Sequence, residues 1–286
     1  VTKPHLSASQ LNMIGRCGEQ YRRRYVEGEK IPAGVAAAKG TAVHGAADNN
    51  LSQKIVSHQD ISVSDAKGVA AAKFEDSIEV YGITLTPDEK STGKAKVLSQ
   101  AKDRSVAMAG AHMELQAHNY QPLFSEETVR LEIPQSSHDF LGVIDCITDK
   151  GVVVDWKTST AKKASQHDAD QSVQLTAYAL MYNQLTGSED VPLAQGLPTE
   201  LRLDYIIDKK ATKTKPSSTD RHLLRTYRNE ASIDALAARH QVATQLINAG
   251  VFAPVEPGHW ICNPKWCGYW STCPYVDSER EARAKV

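Results

Sequence analysis

Residues 142–160 read GVIDCITDKGVVVDWKTST, and three of their side chains do not suit the apolar runs that carry them. Asp145 interrupts one run, and Asp155 and Lys157 interrupt the next. A carboxylate inside a strand is costly unless something pairs with it. Alternate strand residues share a face, so Asp155 and Lys157 point together while Trp156 points away. The short linker TDK makes the two runs an antiparallel hairpin, which brings Asp145 close to Asp155. Two carboxylates on neighbouring strands repel each other unless a cation lies between them. Oxygen ligands on a rigid sheet suit Mg²⁺ or Mn²⁺. A lysine two residues further on reaches the rim of such a site and can steady a phosphate oxygen. The competing reading is an edge hairpin whose charges face solvent.

Other residues with chemical capacity lie outside the hairpin. Gln174 and Tyr178, in QLTAY, are four apart and stack on one face of a helix. Cys17, Cys146, Cys262, Cys267 and Cys273 are the only cysteines. The last three are spaced Cys-x4-Cys-x5-Cys, without the tight Cys-x2-Cys pairs common in structural zinc sites. Three clustered thiolates need a fourth ligand, and Cys17 is the donor at the opposite end of the chain, with His259 in reserve. Four thiolates suit a [4Fe–4S] cluster, with a four-cysteine zinc site or unrelated buried thiols as alternatives. Cys146 faces away from Asp145 and reads as core packing. Arg22, Arg23 and Arg24 lie between Tyr21 and Tyr25, a mix that offers phosphate contacts and stacking surfaces or a solvated helix face. The stretch DKKATKTKPSS concentrates Lys209, Lys210, Lys213 and Lys215, as a backbone-tracking loop or a surface excursion.

The elements that must position these groups follow from periodicity and punctuation. LSASQLNMIGRCGEQYRRRYVEG reads as one helix, capped by Ser7 or Ser9 and ended by Gly28. AAAKGTAVHGAADNNLSQ reads as a glycine-punctuated turn entering a second helix. Residues 45–120 form an alanine-rich helical lobe with polar breaks such as TPDEKSTGK. From residue 127 the texture becomes strand-like in ETVRLEIP, DFLGVIDCI and GVVVDWKTS. A helix over DQSVQLTAYALMYNQLTG follows, closed by Gly187. LRLDYIID is a further strand, with HLLRTYR its expected partner, and SIDALAARHQVATQLINAG is a helix stopped by Gly250. The segment 259–276 follows neither period. One domain spanning 1–286 is the simplest parse.

Composition narrows the class. The chain has 286 residues, 41% of them apolar and 23% charged, which supports a sizeable core. No apolar run is long enough to span a bilayer, so no membrane partner is expected. A formal net charge of −1 excludes nucleic-acid binding through bulk positive charge and requires local basic patches. The opening VTKPHLSASQ lacks a signal-peptide pattern, and the odd cysteine count disfavours a disulfide framework. The expected location is the cytoplasm of a bacterial or phage-infected cell.

The order of GVID (Gly142 to Asp145), VVDWKT (Val153 to Thr158) and QLTAY (Gln174 to Tyr178) resembles the RecB-type branch of the PD-(D/E)xK nuclease superfamily. The resemblance implies a restriction-endonuclease-like mixed central sheet flanked by helices, with a helical insertion. It implies that Asp145 and Asp155 bind the metal, that Trp156 lends a carbonyl, and that Lys157 assists the attacking water. Gln174 and Tyr178 would face the site and the nucleic-acid backbone. GTAVH (Gly40 to His44) matches a Gly-x3-His pattern whose histidine completes the metal shell, and imidazole favours Mn²⁺ over Mg²⁺. An additional glutamate is expected from among Glu126, Glu127 and Glu132. Iron–sulfur members, AddB-like and CRISPR-associated, place one cysteine before the nuclease core and three after it. That arrangement implies a [4Fe–4S] cluster on Cys17, Cys262, Cys267 and Cys273 that joins the two ends. The implied activity is metal-dependent DNA exonuclease action at single- or double-stranded ends, with a recombination or helicase protein as partner. Spacer trimming in CRISPR adaptation, or a catalytically silent DNA-binding scaffold, are the alternatives.

Overall fold

The computed structural model describes residues 3–160, 164–186, 191, 193, 195–209, 211, 214 and 216–276. Its sheet contains β1 (His5–Leu6), β2 (Pro122–Leu131), β3 (Asp139–Thr148), β4 (Val152–Ser159), β5 (Glu200–Lys209) and β6 (Ser218–Thr226). Its helices are α1 (Ala8–Arg16), α2 (Gly18–Tyr21), α3 (Val35–Ser57), α4 (Val63–Tyr81), α5 (Pro87–Thr92), α6 (Lys94–Leu115), α7 (Gln166–Asp170), α8 (Val173–Leu185) and α9 (Glu230–Asn248). Among the described residues no helix is long and apolar enough to cross a membrane.

The pairing of β3 determines the architecture. One edge takes β2 antiparallel along nearly the whole strand. The other edge takes β1 in parallel at its start, at Asp139 and Phe140, and β4 antiparallel at its end, at Cys146 and Ile147. Between those points β3 has no partner on that edge among the described residues. β4 continues into a parallel pairing with β5, through the crossover that holds α8, and β5 pairs antiparallel with β6. The sheet is therefore mixed, and helices cover both faces.

Strand alternation divides the core between those faces. Ile147, Val153, Leu201 and Leu203 meet Leu175, Ala179 and Met181 of α8 and the apolar stripes of α1 and α9. Cys146, Val152, Val154 and Trp156 point the other way, against Leu51 of α3 and Tyr120. α4 and α6 then pack on α3 through small residues such as Ala46, Ala70 and Ala109.

Three sequence expectations change. The first helix is not continuous: Cys17 is extended, at φ −159° and ψ 105°. There the chain leaves the helix so that Gly18 N–H can donate to Ala253 O at 2.7 Å. A Cβ on Gly18 would lie 2.7 Å from backbone atoms of Phe252 and Ala253, so only glycine permits this approach. Beyond α2 the arginine run forms a π-helical turn, Arg22–Val26. Second, no turn precedes His44, because Gly40 and Gly45 both lie inside α3. Each glycine costs a helix about 1 kcal/mol relative to alanine; at Gly45 it admits the Lys73 side chain, whose Cγ would lie 3.0 Å from an added Cβ. Third, the strand expected from 127 begins at Pro122, a short strand at His5–Leu6 also joins the sheet, and the polar break TPDEKSTGK holds α5, capped by Thr86 with Pro87 in its first turn. The stop expected at Gly187 lies outside the described residues.

α6 carries a fully buried histidine. His112 Nδ1 lies 2.7 Å from Gln116 Oε1, and burial pushes the imidazole pKa down to about 4. The folded chain thus resists a proton that the unfolded chain accepts near its ordinary value of about 6.5. This contribution is complete above pH 6.5 and is lost as the pH falls toward 4. Denaturant titrations at pH 7 and pH 4.5 should show His112→Gln losing less stability on acidification than wild type, by on the order of 2 kcal/mol. Identical losses would contradict the assignment.

Candidate active site

The candidate site forms where β3 and β4 part. Their ladder stops at Cys146↔Val154. Continued by one residue, that register places Asp145 opposite Asp155 with both side chains on one face. The two strands are not joined there by backbone hydrogen bonds. Instead Asp145 Oδ2 accepts from Trp156 N at 2.9 Å, so a carboxylate bridges the opening. On the other side of β3, the pairs Ser125↔Cys146 and Glu127↔Ile144 leave Glu126 opposite Asp145. Glu126 has φ +47°, uncommon for a residue with a Cβ, and this left-handed turn re-aims its side chain.

α3 contributes the imidazole. His44 Nδ1 lies 3.4 Å from Asp145 Oδ2. One ligand atom each from His44, Glu126 and Asp145 lie within 4.8 Å of one another. Asp48, one helical turn after His44, accepts from Ser125 Oγ at 2.9 Å and adds negative charge beside Glu126.

Asp155 is fully buried and lies outside that trio. Lys157 Nζ donates to its Oδ1 at 3.0 Å and sits 2.7 Å from Oδ2, off the direction needed for a second hydrogen bond. The same ammonium donates to Gln174 Oε1 at 3.0 Å, and Gln174 Nε2 donates to Tyr178 Oη at 2.6 Å. The pair expected to stack on α8 is therefore wired to the lysine on β4. Tyr178 is also a core residue, only 4% exposed.

The electrostatics follow from this crowding. Dehydration, and then the charges of Asp48 and Asp155, push Glu126 up to about 7, although its outer edge stays exposed at the mouth of the cleft. Burial, then the Asp155 carboxylate, hold Asp145 well above the usual carboxylate range. Burial works against the Lys157 charge, but Asp155 and Asp145 outweigh it and raise its pKa. Burial lowers His44 and favours the neutral imidazole that binds metals, while Asp155 and a hydrogen bond to the Trp156 backbone oppose the shift. One nitrogen and two oxygen donors, with acids reluctant to ionise in the absence of a cation, fit a divalent ion such as Mg²⁺ or Mn²⁺. Of the three candidate glutamates the structure selects Glu126. Its signal is a backbone angle, which residue type and spacing do not reveal.

The four end cysteines line one cavity, with Gln20, Arg23, Ile261 and Tyr269 in its walls. Gln20 Nε2 donates to Cys267 Sγ at 3.8 Å. Burial pushes the Cys267 thiol up, and its neighbours Cys17, Cys273 and Cys262 add to the shift. No three of these sulfurs lie within 4.8 Å of one another, whereas a tetrahedral thiolate zinc site would set its sulfurs ~3.8 Å apart. Cys146 is buried with Val154 and Trp156, facing away from Asp145 as expected.

The basic residues expected to meet nucleic acid are largely engaged in ion pairs. Arg22 pairs with Glu19 at 2.7 Å and with Glu27. Arg23, nearly buried, pairs with Glu29 at 2.6 Å and donates to Thr272 Oγ1 at 2.8 Å. Their geometry joins the π-helical turn to the tail, while Arg24 is exposed over the Tyr25 ring. Lys209 pairs with Asp220 across β5 and β6. Lys210, Lys213 and Lys215 lie outside the described residues.

A family model, the PD-(D/E)XK nuclease superfamily, matches residues 5–274. Solved structures similar to the chain include a provisionally named exonuclease from Eubacterium rectale, 12% identical, covering 99% of this chain and 94% of that one at a TM-score of 0.48. Another is a phage-related exonuclease from Haemophilus somnus, 12% identical, covering 78% of this chain and 98% of that one at a TM-score of 0.29. No curated protein matches.

The selection of Glu126 can be checked by titrating Mn²⁺ into the metal-free protein. Glu126→Gln should weaken binding about 10-fold or more, while Glu127→Gln and Glu132→Gln should stay within twofold of wild type. A stronger loss in either of the latter two would reassign the ligand.

Proposed function

The chain belongs to the PD-(D/E)XK nuclease superfamily, and we propose that it is a divalent-metal-dependent deoxyribonuclease acting as an exonuclease on DNA ends. The observation that carries this reading is the convergence of His44, Glu126 and Asp145 beside the Asp155–Lys157–Gln174 chain. His44, Glu126 and Asp145 would hold the ion, with Asp155 and the Trp156 main chain at its border. When bound, a divalent cation supplies Lewis acidity toward phosphate and a nucleophile at neutral pH.

The protein's own groups then have distinct tasks. Lys157 presents an ammonium to a phosphate oxygen, where charge grows during displacement. Gln174 and Tyr178 hold that ammonium in place, since Gln174 accepts from it and donates to the phenol. The main-chain N–H of Trp156 keeps Asp145 directed into the cleft. The parted strands leave an open edge on β3 against which a nucleic-acid backbone can lie.

We further propose that Cys17, Cys262, Cys267 and Cys273 hold a [4Fe–4S] cluster. The support is the cavity that all four line and the four-thiolate donor set. Its task is structural: it ties the break after α1 to the C-terminal segment.

Nucleotide release from end-labelled single- and double-stranded DNA in Mn²⁺ tests the first proposal. Asp155→Ala and Lys157→Ala should each lower the rate by about 100-fold or more. Activity unchanged in both would refute the site. For the second, protein purified without oxygen should be brown and contain iron and acid-labile sulfide in equal amounts, and Cys273→Ser should lower its melting temperature. Stoichiometric zinc in a colourless folded sample would end that proposal.

A further inference from the structure

Trp156 has two environments, and the structure connects them. Its main chain faces the candidate metal ligands: the N–H donates to Asp145 Oδ2, and His44 Nδ1 lies 3.4 Å from the same oxygen. Its indole lies on the opposite face of the sheet, 4% exposed, packed with Leu51 of α3. Two rings meet this indole edge to face. His112 of α6 lies 5.5 Å away at 86°, and Tyr120 lies 5.8 Å away at 85°.

Tyr120 is itself held firmly. Its hydroxyl donates to Asp204 Oδ2 at 2.6 Å. Arg221 grips the same carboxylate, at 2.9 Å to Oδ1 and 2.7 Å to Oδ2, and donates to the Tyr120 hydroxyl at 3.1 Å. Arg202 and Arg221 lie near the ring at 5.5 and 5.9 Å. Such an assembly is rigid, because a bidentate guanidinium fixes both carboxylate oxygens.

The choice of indole carries a cost that packing alone does not explain. Its Nε1–H is buried without a hydrogen-bond partner, a penalty of about 1–3 kcal/mol that phenylalanine would avoid. The indole fills the space between β4, which carries Asp155 and Lys157, and α3, which carries His44. A smaller group would let the helix and strand move together and would rotate the Trp156 peptide.

We propose that Tyr120 and His112 are positioning residues that set the metal-binding geometry through the Trp156 indole. This rests on the metal-dependent reading above. Neither ring touches the reacting groups, and both act by fixing the peptide that anchors Asp145, beside which His44 lies. The helices behind the sheet thereby contribute to the site on its front.

The test is Mn²⁺ titration of the full chain, without DNA, well below the melting temperature. Tyr120→Phe and Tyr120→Leu both lose the bond to Asp204, but only the first keeps a ring against Trp156. Tyr120→Leu should weaken Mn²⁺ binding about 10-fold, while Tyr120→Phe should stay within twofold of wild type. His112→Leu and His112→Phe provide a second pair with the same expected split, should Tyr120→Leu not fold. Equal affinity in all folded variants would overturn the proposal, as would equal losses in the Phe and Leu forms, which would attribute the effect to the lost polar bond. Wild-type protein that binds no Mn²⁺ would instead overturn the metal-dependent reading on which this rests.

Discussion

The opening between β3 and β4 is the constraint on which the rest of the structure depends. Sheet strands normally keep their hydrogen bonds until a turn or an edge ends them. Here the ladder stops after Cys146↔Val154, and Asp145 supplies a carboxylate oxygen in place of the next backbone acceptor. One residue thereby closes a backbone deficit and anchors a candidate ligand. Because the strands part there, α3 can bring His44 to the gap.

Legibility from sequence followed how local each signal was. Asp145, Asp155, Lys157 and the Gln174–Tyr178 pair could be read because each is a polar residue at a fixed period within one element. Trp156 pointing away, and Cys146 packing behind the sheet, follow from the same alternation. The mixed sheet was expected from the family resemblance, whereas the hairpin and the β5–β6 pairing were equally legible. Glu126 was not, since Glu127 and Glu132 have the same side chain and only a left-handed φ sets Glu126 apart. Gly40 and Gly45 misled because glycine marks turns on average, whereas here it admits a close neighbour within a helix. The break at Cys17 depends on Ala253, more than two hundred residues away, which no local pattern can report.

The arginine run shows the same limit from another direction. Basic residues flanked by aromatics suggest a nucleic-acid surface, yet Arg22 and Arg23 have acidic partners nearby in sequence, at Glu19, Glu27 and Glu29. An intramolecular pair forms without the entropy loss of capturing a second molecule, so it prevails wherever geometry allows. The pairing of Arg23 also reaches Thr272 and the Tyr269 carbonyl. Arg23 therefore helps to hold the tail beside Cys17, while Arg24 stays exposed.

The buried acids of this chain differ in the cation that each receives. Asp204 is gripped by Arg221, Asp208 faces Arg104 at 2.8 and 3.1 Å, Asp139 meets Arg130 at 2.8 and 2.9 Å, and Glu19 is paired with Arg22. Each has a guanidinium, which stays charged, although Arg130 meets only Oδ2 of Asp139, whose Oδ1 is paired with Lys3 at 3.0 Å. Asp145 and Asp155 have no arginine among the described residues. Asp155 has instead a lysine from its own strand, a point charge on a flexible stem; one of its carboxylate oxygens, like Asp208 Oδ1, is left without a hydrogen bond. A structural acid is best served by a partner that cannot leave. In the proposed mechanism the Lys157 ammonium, held by Gln174 beside Asp155, faces a phosphate oxygen. The sheet thus holds two kinds of carboxylate one residue apart in register, Asp155 beside Leu203 and Asp204 beside Trp156. The two are equally buried, and what distinguishes them is the cation: a guanidinium for Asp204 and an ammonium for Asp155.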